Sequence, residues 1–298
     1  MTLQNESFRL FSSLRYDPLL VSSQHNCSPS LSFREKSPFY MLKYHRDRML
    51  EASERFGFHN VVPKLTNGTV LEEQLIERVN AHQSGHNITD GPLKVRILFN
   101  QDGIMDTEFT AVPPVPMATF YPSTFQVDDQ ANTPLEPSSS AKTALRAESK
   151  DSLQPTHECF PSASSAQWHI TLDTTSTISS LHTSLKTTER QHYDASRSRT
   201  LDPGASTPLH EVLIFTPSGL VIEGSMTSVY FFRRGRWVTP PVELGKGGQR
   251  GTTRRWALDA GLCVEEEVTV RSVIEGERVW VSNGVRGFGF GFLRVEAS

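Results

Sequence analysis

Between residues 93 and 99 the chain reads LKVRILF and alternates strictly, with Leu93, Val95, Ile97 and Phe99 on one side. That is the period of a half-buried strand. NQDG follows and leads into a second strand from Ile104 to Val112, so the pair predicts a β-hairpin. Upstream the period lengthens. In LKYHRDRMLEASERFGF, Leu42, Met49, Ala52 and Phe56 recur at helical spacing, Gly57 is placed to end the helix, and His45, Arg48 and Arg55 lie opposite. TVLEEQLIERVNAH gathers Val70, Leu71, Leu75 and Val79 on one side of a second helix, set apart from the first by a proline and an Asn-Gly turn.

Downstream of the hairpin the periodicity stops. Residues 113–165 are about half Ser, Thr, Pro and Ala. Such a composition buries too little apolar surface to offset ordering entropy, which predicts a mobile linker or insertion. Pattern resumes with QWHITLDT as a strand and a polar helix from Thr187 to about Arg199. EVLIFTPSGLVIEG and MTSVYFFRRGRWVTPP read as hairpins turning at TPSG and RRGR. A helix runs from Thr252 through WALDAG to a stop at Gly261, and a strand around RVWVSN precedes a Gly-rich tail. Hairpins and helices on both sides of the linker predict an α+β chain of two domains, residues 1–112 and 166–298, rather than a doubly wound parallel sheet.

Composition narrows the functional classes. The 298 residues suffice for one large core or two modest ones, since single cores stop growing near ~250–300 residues. Lys and Arg number 30 against 33 Asp and Glu, leaving no broad positive field for a nucleic-acid backbone. Cys27, Cys159 and Cys263 show no C-x-x-C spacing, which fits reduced thiols in the cytoplasm, and His157 with Cys159 is too small a set for a metal. No apolar run approaches the ~20 residues of a membrane span, and the N-terminal stretch lacks the pattern of a signal peptide.

Four local features carry candidate chemistry. Lys186 in SLKTTERQHYDASR is placed to form an imine with a carbonyl cofactor and then to shuttle protons. Glu223, at the end of the apolar strand GLVIEG, needs a cationic partner if buried, and a protonated pyridine nitrogen is one. GGQRGTTRRW runs a Gly-rich turn into a helix whose free amides suit a phosphate monoester. Arg48, in HRDRM, offers a bidentate contact to the same phosphate, and Arg96 within LKVRILF could orient a substrate carboxylate. Taken singly, each has an ordinary structural reading: a solvated lysine or arginine, a strand-end glutamate facing water, a capped helix start.

Their order along the chain says more. H-x-x-R-[LM], then [VI]-R-[IVL]-L before a D-G turn, then K-T-T-x-R-x-x-Y-x-x-[AS]-R, an EG strand, TPP and G-[IT]-T-R together resemble the class IV aminotransferase superfamily, the pyridoxal-phosphate enzymes of fold type IV. The resemblance runs from about residue 8 to 293, apart from the 113–165 segment. It implies pyridoxal 5'-phosphate as cofactor, Lys186 as the Schiff-base lysine, Glu223 at the pyridine nitrogen, and Arg48, Thr252 and Thr253 at the phosphate. Arg96 and Arg286 are implied near the substrate carboxylates, with no metal. Thr252 stands where Ile is common, and Gly284 where some relatives place a phosphate-binding Thr, a contact that Asn283 could replace.

KTTERQHYDASR and the opening FRLFSSLRYDP are most similar to the fungal 4-amino-4-deoxychorismate lyase branch. Branched-chain aminotransferases usually carry a Gly- or Asn-rich segment after the lysine and a Tyr in the place of Gln191. The resemblance therefore implies a lyase that converts 4-amino-4-deoxychorismate to 4-aminobenzoate and pyruvate in folate biosynthesis, working as a cytoplasmic homodimer. A class IV transaminase for D- or branched-chain amino acids and a non-catalytic binding module on the same scaffold are the alternatives.

Overall fold

The computed structural model describes residues 8–86, 91–125, 167–201 and 209–295. Among them the strands form two sheets in an α+β arrangement. The first is an antiparallel meander of β1 (Leu10–Tyr16), β2 (Leu93–Phe99) and β3 (Met105–Ala111). The alternation in β2 works as its pattern predicts, with Leu93, Val95, Ile97 and Phe99 buried and Lys94 and Arg96 on the other face. The buried face packs on α1 (Leu42–Arg55), α2 (Val62–Thr66) and α3 (Gly68–His86), where Leu42, Met49, Leu65, Leu71, Leu75 and Val79 complete the core. Three strands gain independent stability only with such a covering layer.

Three details differ from the periodicity. Val70 is 42% exposed, because Leu71, Leu75 and Val79 already fill the stripe that faces the sheet. The stretch expected as a bare Pro and Asn-Gly connection forms α2, with Pro63 in its first turn, where a missing N–H costs nothing. And β1, which the hydrophobic pattern did not single out, is a full strand. LFSSLRY is buried on both faces, so it does not alternate.

The second sheet has eight strands in the order β6-β5-β4-β11-β10-β7-β8-β9. They are β4 (Trp168–Leu172), β5 (His210–Phe215), β6 (Val221–Gly224), β7 (Ser228–Arg233), β8 (Arg236–Thr239), β9 (Val264–Glu265), β10 (Arg278–Asn283) and β11 (Gly287–Arg294). The hairpins at TPSG and RRGR are the antiparallel pairs β5/β6 and β7/β8. Helices α4 (Leu181–Ser184), α5 (Gln191–Thr200) and α6 (Thr252–Asp259) accompany the sheet. The polar helix expected from Thr187 begins only at Gln191, because residues 187 and 188 pair with the chain at Arg9 and Leu10 instead.

The Gly-rich tail is β11, an interior strand, parallel to β4 and antiparallel to β10. Its glycines allow a close approach: a Cβ at residue 291 would lie 2.0 Å from the Trp168 carbonyl oxygen, and one at 289 would lie 2.7 Å from Trp168 Nε1. The expected linker is also more ordered at its start than its average composition predicts. Phe120 and Phe125 are buried, Tyr40 Oη donates to the Phe120 carbonyl at 2.6 Å, and Trp237 Nε1 donates to that of Phe125 at 2.6 Å. Averaging over 113–165 hid these aromatic anchors. Residues 126–165, with His157 and Cys159, lie outside the described residues. Cys27 and Cys263 are free thiols. Among the described residues no cluster of three metal-ligating side chains occurs, and no helix is long and apolar enough to cross a membrane.

β1 is where the two sheets meet. Beyond its ladder with β2, Phe11 N–H donates to the Lys186 carbonyl at 3.2 Å, Thr188 N–H to the Arg9 carbonyl at 2.8 Å, and Arg15 N–H to the Gly284 carbonyl at 2.9 Å. One strand thus fixes segments from both halves of the chain.

Candidate active site

Lys186 follows α4, whose start is closed by a capping box between Ser180 and Thr183 and whose end hands the chain to buried Leu185. The backbone pairing with Phe11 then holds Lys186 against β1. Its Nζ donates to Gln249 Oε1 at 3.2 Å and stands 5.1 Å from the Phe11 ring centre. Burial lowers its pKa well below that of an ordinary lysine, and the charges of Arg48, Arg190 and Arg96 add to that, while Glu223 opposes it. An amine kept neutral is a nucleophile and a base.

Glu223 lies in β6, one residue before its end, and is 9% exposed. Tyr193, on α5, donates its hydroxyl to Glu223 Oε1 at 2.5 Å, and the Gln249 amide donates to Oε2 at 3.2 Å. Gln249 Nε2 also donates to the Tyr193 hydroxyl at 3.0 Å. A continuous path therefore joins Lys186 to Glu223 through Gln249 and Tyr193. Burial pushes the Glu223 carboxyl up to about 7, restrained by the hydrogen bonds from Tyr193 and the Gln249 amide and by the charges of Lys186 and Arg190.

A second cluster presents donors to an anion. Arg48 Nη2 donates to Ser12 Oγ at 2.5 Å and lies 3.2 Å from His45 Nδ1, while its Nε is buried without a hydrogen-bond partner among the described residues. Burial lowers the Arg48 pKa to about 10, which leaves it charged at neutral pH. His45 Nε2 reaches Thr252 Oγ1 at 3.3 Å. Thr252 opens α6, whose N-cap, Gly251, supplies no side-chain cap, so the first amides of the helix are open to an anion. The periodicity put His45 and Arg48 on the polar side of α1. In the fold His45 and Arg48 face inward, toward β1 and α6, while Arg55 on the same side stays exposed.

The other expected residues are placed as follows. The Thr253 hydroxyl oxygen accepts from Ser282 Oγ at 2.8 Å, a bond that ties α6 to β10. Arg96 ion-pairs with Glu108 at 2.9 Å and lies 4.6 Å from the Phe11 ring centre, so it shares that ring with Lys186. Arg286 lies 5.5 Å from the centre of the Trp168 ring, and its charge acts on Lys94. Asn283 Oδ1 accepts from the amides of Val285 and Arg286, which fixes the orientation of the side-chain amide. Sequence reasoning missed Ser12, Tyr193 and Gln249. Tyr193 and Gln249 sit inside the quoted motifs, but a buried tyrosine and a glutamine carry no chemical signature until the fold supplies partners.

The amino-transferase class IV family matches residues 30–290. The aminodeoxychorismate lyase of Saccharomyces cerevisiae is 32% identical over 138 residues, 42% of this chain and 36% of that protein, so the match spans only about a third of that relative's length. Among solved structures, a putative amino-acid aminotransferase from Mesorhizobium loti superposes with a TM-score of 0.57 at 18% identity, covering 96% of this chain and 100% of that one. The 4-amino-4-deoxychorismate lyase from Pseudomonas aeruginosa gives 0.53 at 14%, covering 99% and 88%. A branched-chain aminotransferase from Thermoproteus uzoniensis gives 0.57 at 16%, covering 98% and 79%. At these identities the superpositions speak for the fold. With the family match spanning most of its length, the chain belongs to the class IV aminotransferases and has their α+β, type IV fold.

Proposed function

We propose that the protein is a pyridoxal-phosphate-dependent lyase that converts 4-amino-4-deoxychorismate to 4-aminobenzoate and pyruvate. The observation that carries this reading is a half-buried lysine, Lys186, joined through Gln249 and Tyr193 to the buried carboxyl of Glu223 beside a set of anion donors that includes the buried, unpartnered Arg48 Nε. The residues fit the cofactor. Lys186 would hold its carbonyl carbon, Glu223 its pyridine nitrogen, and Arg48, Thr252 and the open amides of α6 its phosphate. When bound, the cofactor supplies an electron sink for charge that develops on the substrate carbon bearing nitrogen.

The chain's residues do the rest. Lys186 Nζ takes the proton from that ring carbon, a role favoured because burial and neighbouring cations lower the amine's pKa well below that of an ordinary lysine. The carbon–oxygen bond to the enolpyruvyl group breaks, the ring becomes aromatic, and the proton ends on the departing three-carbon fragment, which leaves as pyruvate. Glu223 would hold a proton at the pyridine nitrogen, and the Tyr193 hydroxyl, which donates to Glu223 Oε1, fixes that carboxyl. Phe11 lies under both Lys186 and Arg96, excluding water from one side of the amine. Arg96 and Arg286 supply positive charge for the substrate's carboxylates.

The yeast relative's name supports the lyase over the transaminase reading. Branched-chain aminotransferases among the structural neighbours favour a second reading, transamination with the same lysine and glutamate. The two sheets support a division into an N-terminal domain, 1–112, and a C-terminal one, 166–298, with the site along β1 between them. A cytoplasmic homodimer goes with the family resemblance.

The test is an absorption spectrum with pyridoxal phosphate, borohydride fixation and peptide mapping, followed by a product assay. A cofactor adduct on Lys186 with 4-aminobenzoate formed is the expected result. An adduct on another lysine would overturn the site, and amino transfer to a 2-oxo acid without 4-aminobenzoate would favour the transaminase.

A further inference from the structure

His45 is fully buried one helical turn before Arg48, and its ring bridges β1 and α6. Its Nδ1 has two neighbours, Ser12 Oγ at 2.8 Å and Arg48 Nη2 at 3.2 Å. A guanidinium nitrogen only donates, so Nδ1 must accept. Ser12 agrees: its oxygen receives Arg48 Nη2 at 2.5 Å, which leaves its own proton for Nδ1. A neutral imidazole that accepts at Nδ1 carries its proton at Nε2. Burial, and after it the charge of Arg48, favour the neutral ring. The Nε2 proton then points at Thr252 Oγ1, 3.3 Å away. A hydroxyl that receives a proton from one side has its own proton to give on another.

Residue 284 completes the arrangement. A Cβ there would lie 2.5 Å from His45 Cε1 and 2.6 Å from Nε2. The imidazole occupies the space that a side chain at 284 would fill. Any larger residue would push the ring off Thr252.

We infer that His45 is a positioning residue that fixes the Thr252 hydroxyl as a hydrogen-bond donor toward a phosphate dianion, and that position 284 is glycine to leave room for it. Arg48, the open amides of α6 and the Thr252 hydroxyl then present donors alone, which selects an acceptor-only ligand. The chain Arg48, Ser12, His45, Thr252 sets one proton direction across four residues from β1, α1 and α6. This rests on the reading that the cluster takes the cofactor's phosphate.

The experiment titrates cofactor-free protein with pyridoxal phosphate and, separately, with pyridoxal, which lacks the phosphate. His45→Phe keeps the ring volume and removes both nitrogens. It should weaken pyridoxal phosphate binding about tenfold while changing pyridoxal affinity by less than about twofold. Thr252→Val should do the same. Because His45 acts through Thr252, the double variant should bind no worse than either single one. Equal losses for both ligands, or losses that multiply in the double variant, would overturn the proposal. If the variants do not fold, nitrogen-15 NMR of the parent decides: an Nε2–H tautomer at His45 is expected, and an Nδ1–H tautomer sinks it. A parent that binds neither ligand would count against the cofactor reading, while the tautomer would still test the proton direction.

Discussion

The Tyr193 hydroxyl donates to Glu223 Oε1 at 2.5 Å while accepting from Gln249 Nε2 at 3.0 Å, and the Thr183 carbonyl, 3.4 Å away, is the more distant acceptor for its proton. The Tyr193 bond lowers the pKa of a carboxyl that burial raises. Tyr193→Phe should leave cofactor binding intact and raise the Glu223 pKa. Turnover should fall about tenfold, the scale of one lost hydrogen bond to a charged group. The pH dependence of kcat in parent and variant checks this, and an unmoved profile would remove the coupling.

Glu223 also makes stability depend on pH. Its folded value is about 7 against an ordinary 4.5, so as pH rises past 4.5 the unfolded chain ionises while the folded carboxyl still holds its proton. Stability of the cofactor-free protein should therefore fall between pH 4.5 and about 7 from this group. Glu223→Gln should flatten that fall. Urea unfolding at pH 5 and pH 7.5 in both proteins measures the difference.

Arg15 is buried with Asp17, its Nε 2.9 Å from Asp17 Oδ2, and its Nη2 donates to the Pro113 carbonyl at 2.9 Å. Arg15→Ala would leave Asp17 buried without its cation and the Pro113 carbonyl without this donor. Removing one partner of a buried pair costs about 3–5 kcal/mol. Denaturant unfolding should show a loss of that size, and one below about 1 kcal/mol would mean the pair is solvated.

Two glycines should respond in opposite directions to alanine. At 291 the added Cβ meets the Trp168 backbone 2.0 Å away, and a backbone atom in a paired strand cannot yield cheaply, so about 1–3 kcal/mol should be lost. At 85, in α3, nothing lies within 4 Å, and alanine should add about 0.5–1 kcal/mol through helix propensity. Thermal unfolding of the two variants distinguishes them.

What the sequence determined by itself was local. Alternation in LKVRILF, the turns at TPSG and RRGR and the stripes of α1 and α3 are set by neighbours a few residues apart, and all appear in the fold. The ordered motifs around Lys186, Glu223 and Thr252 named the family because each keeps its residue types within a short span. Tertiary structure decided the rest. β1 is buried on both faces, so no period betrays it. β11 was disguised by glycines that only the Trp168 backbone explains. His45 and Thr252 stand 207 residues apart, and Lys186 and Gln249 stand 63 apart. A polar side chain's partner at such separation is chosen by the path of the backbone, and burial, which turns a polar helix face or a strand-end carboxyl into chemistry, exists only once that path has closed.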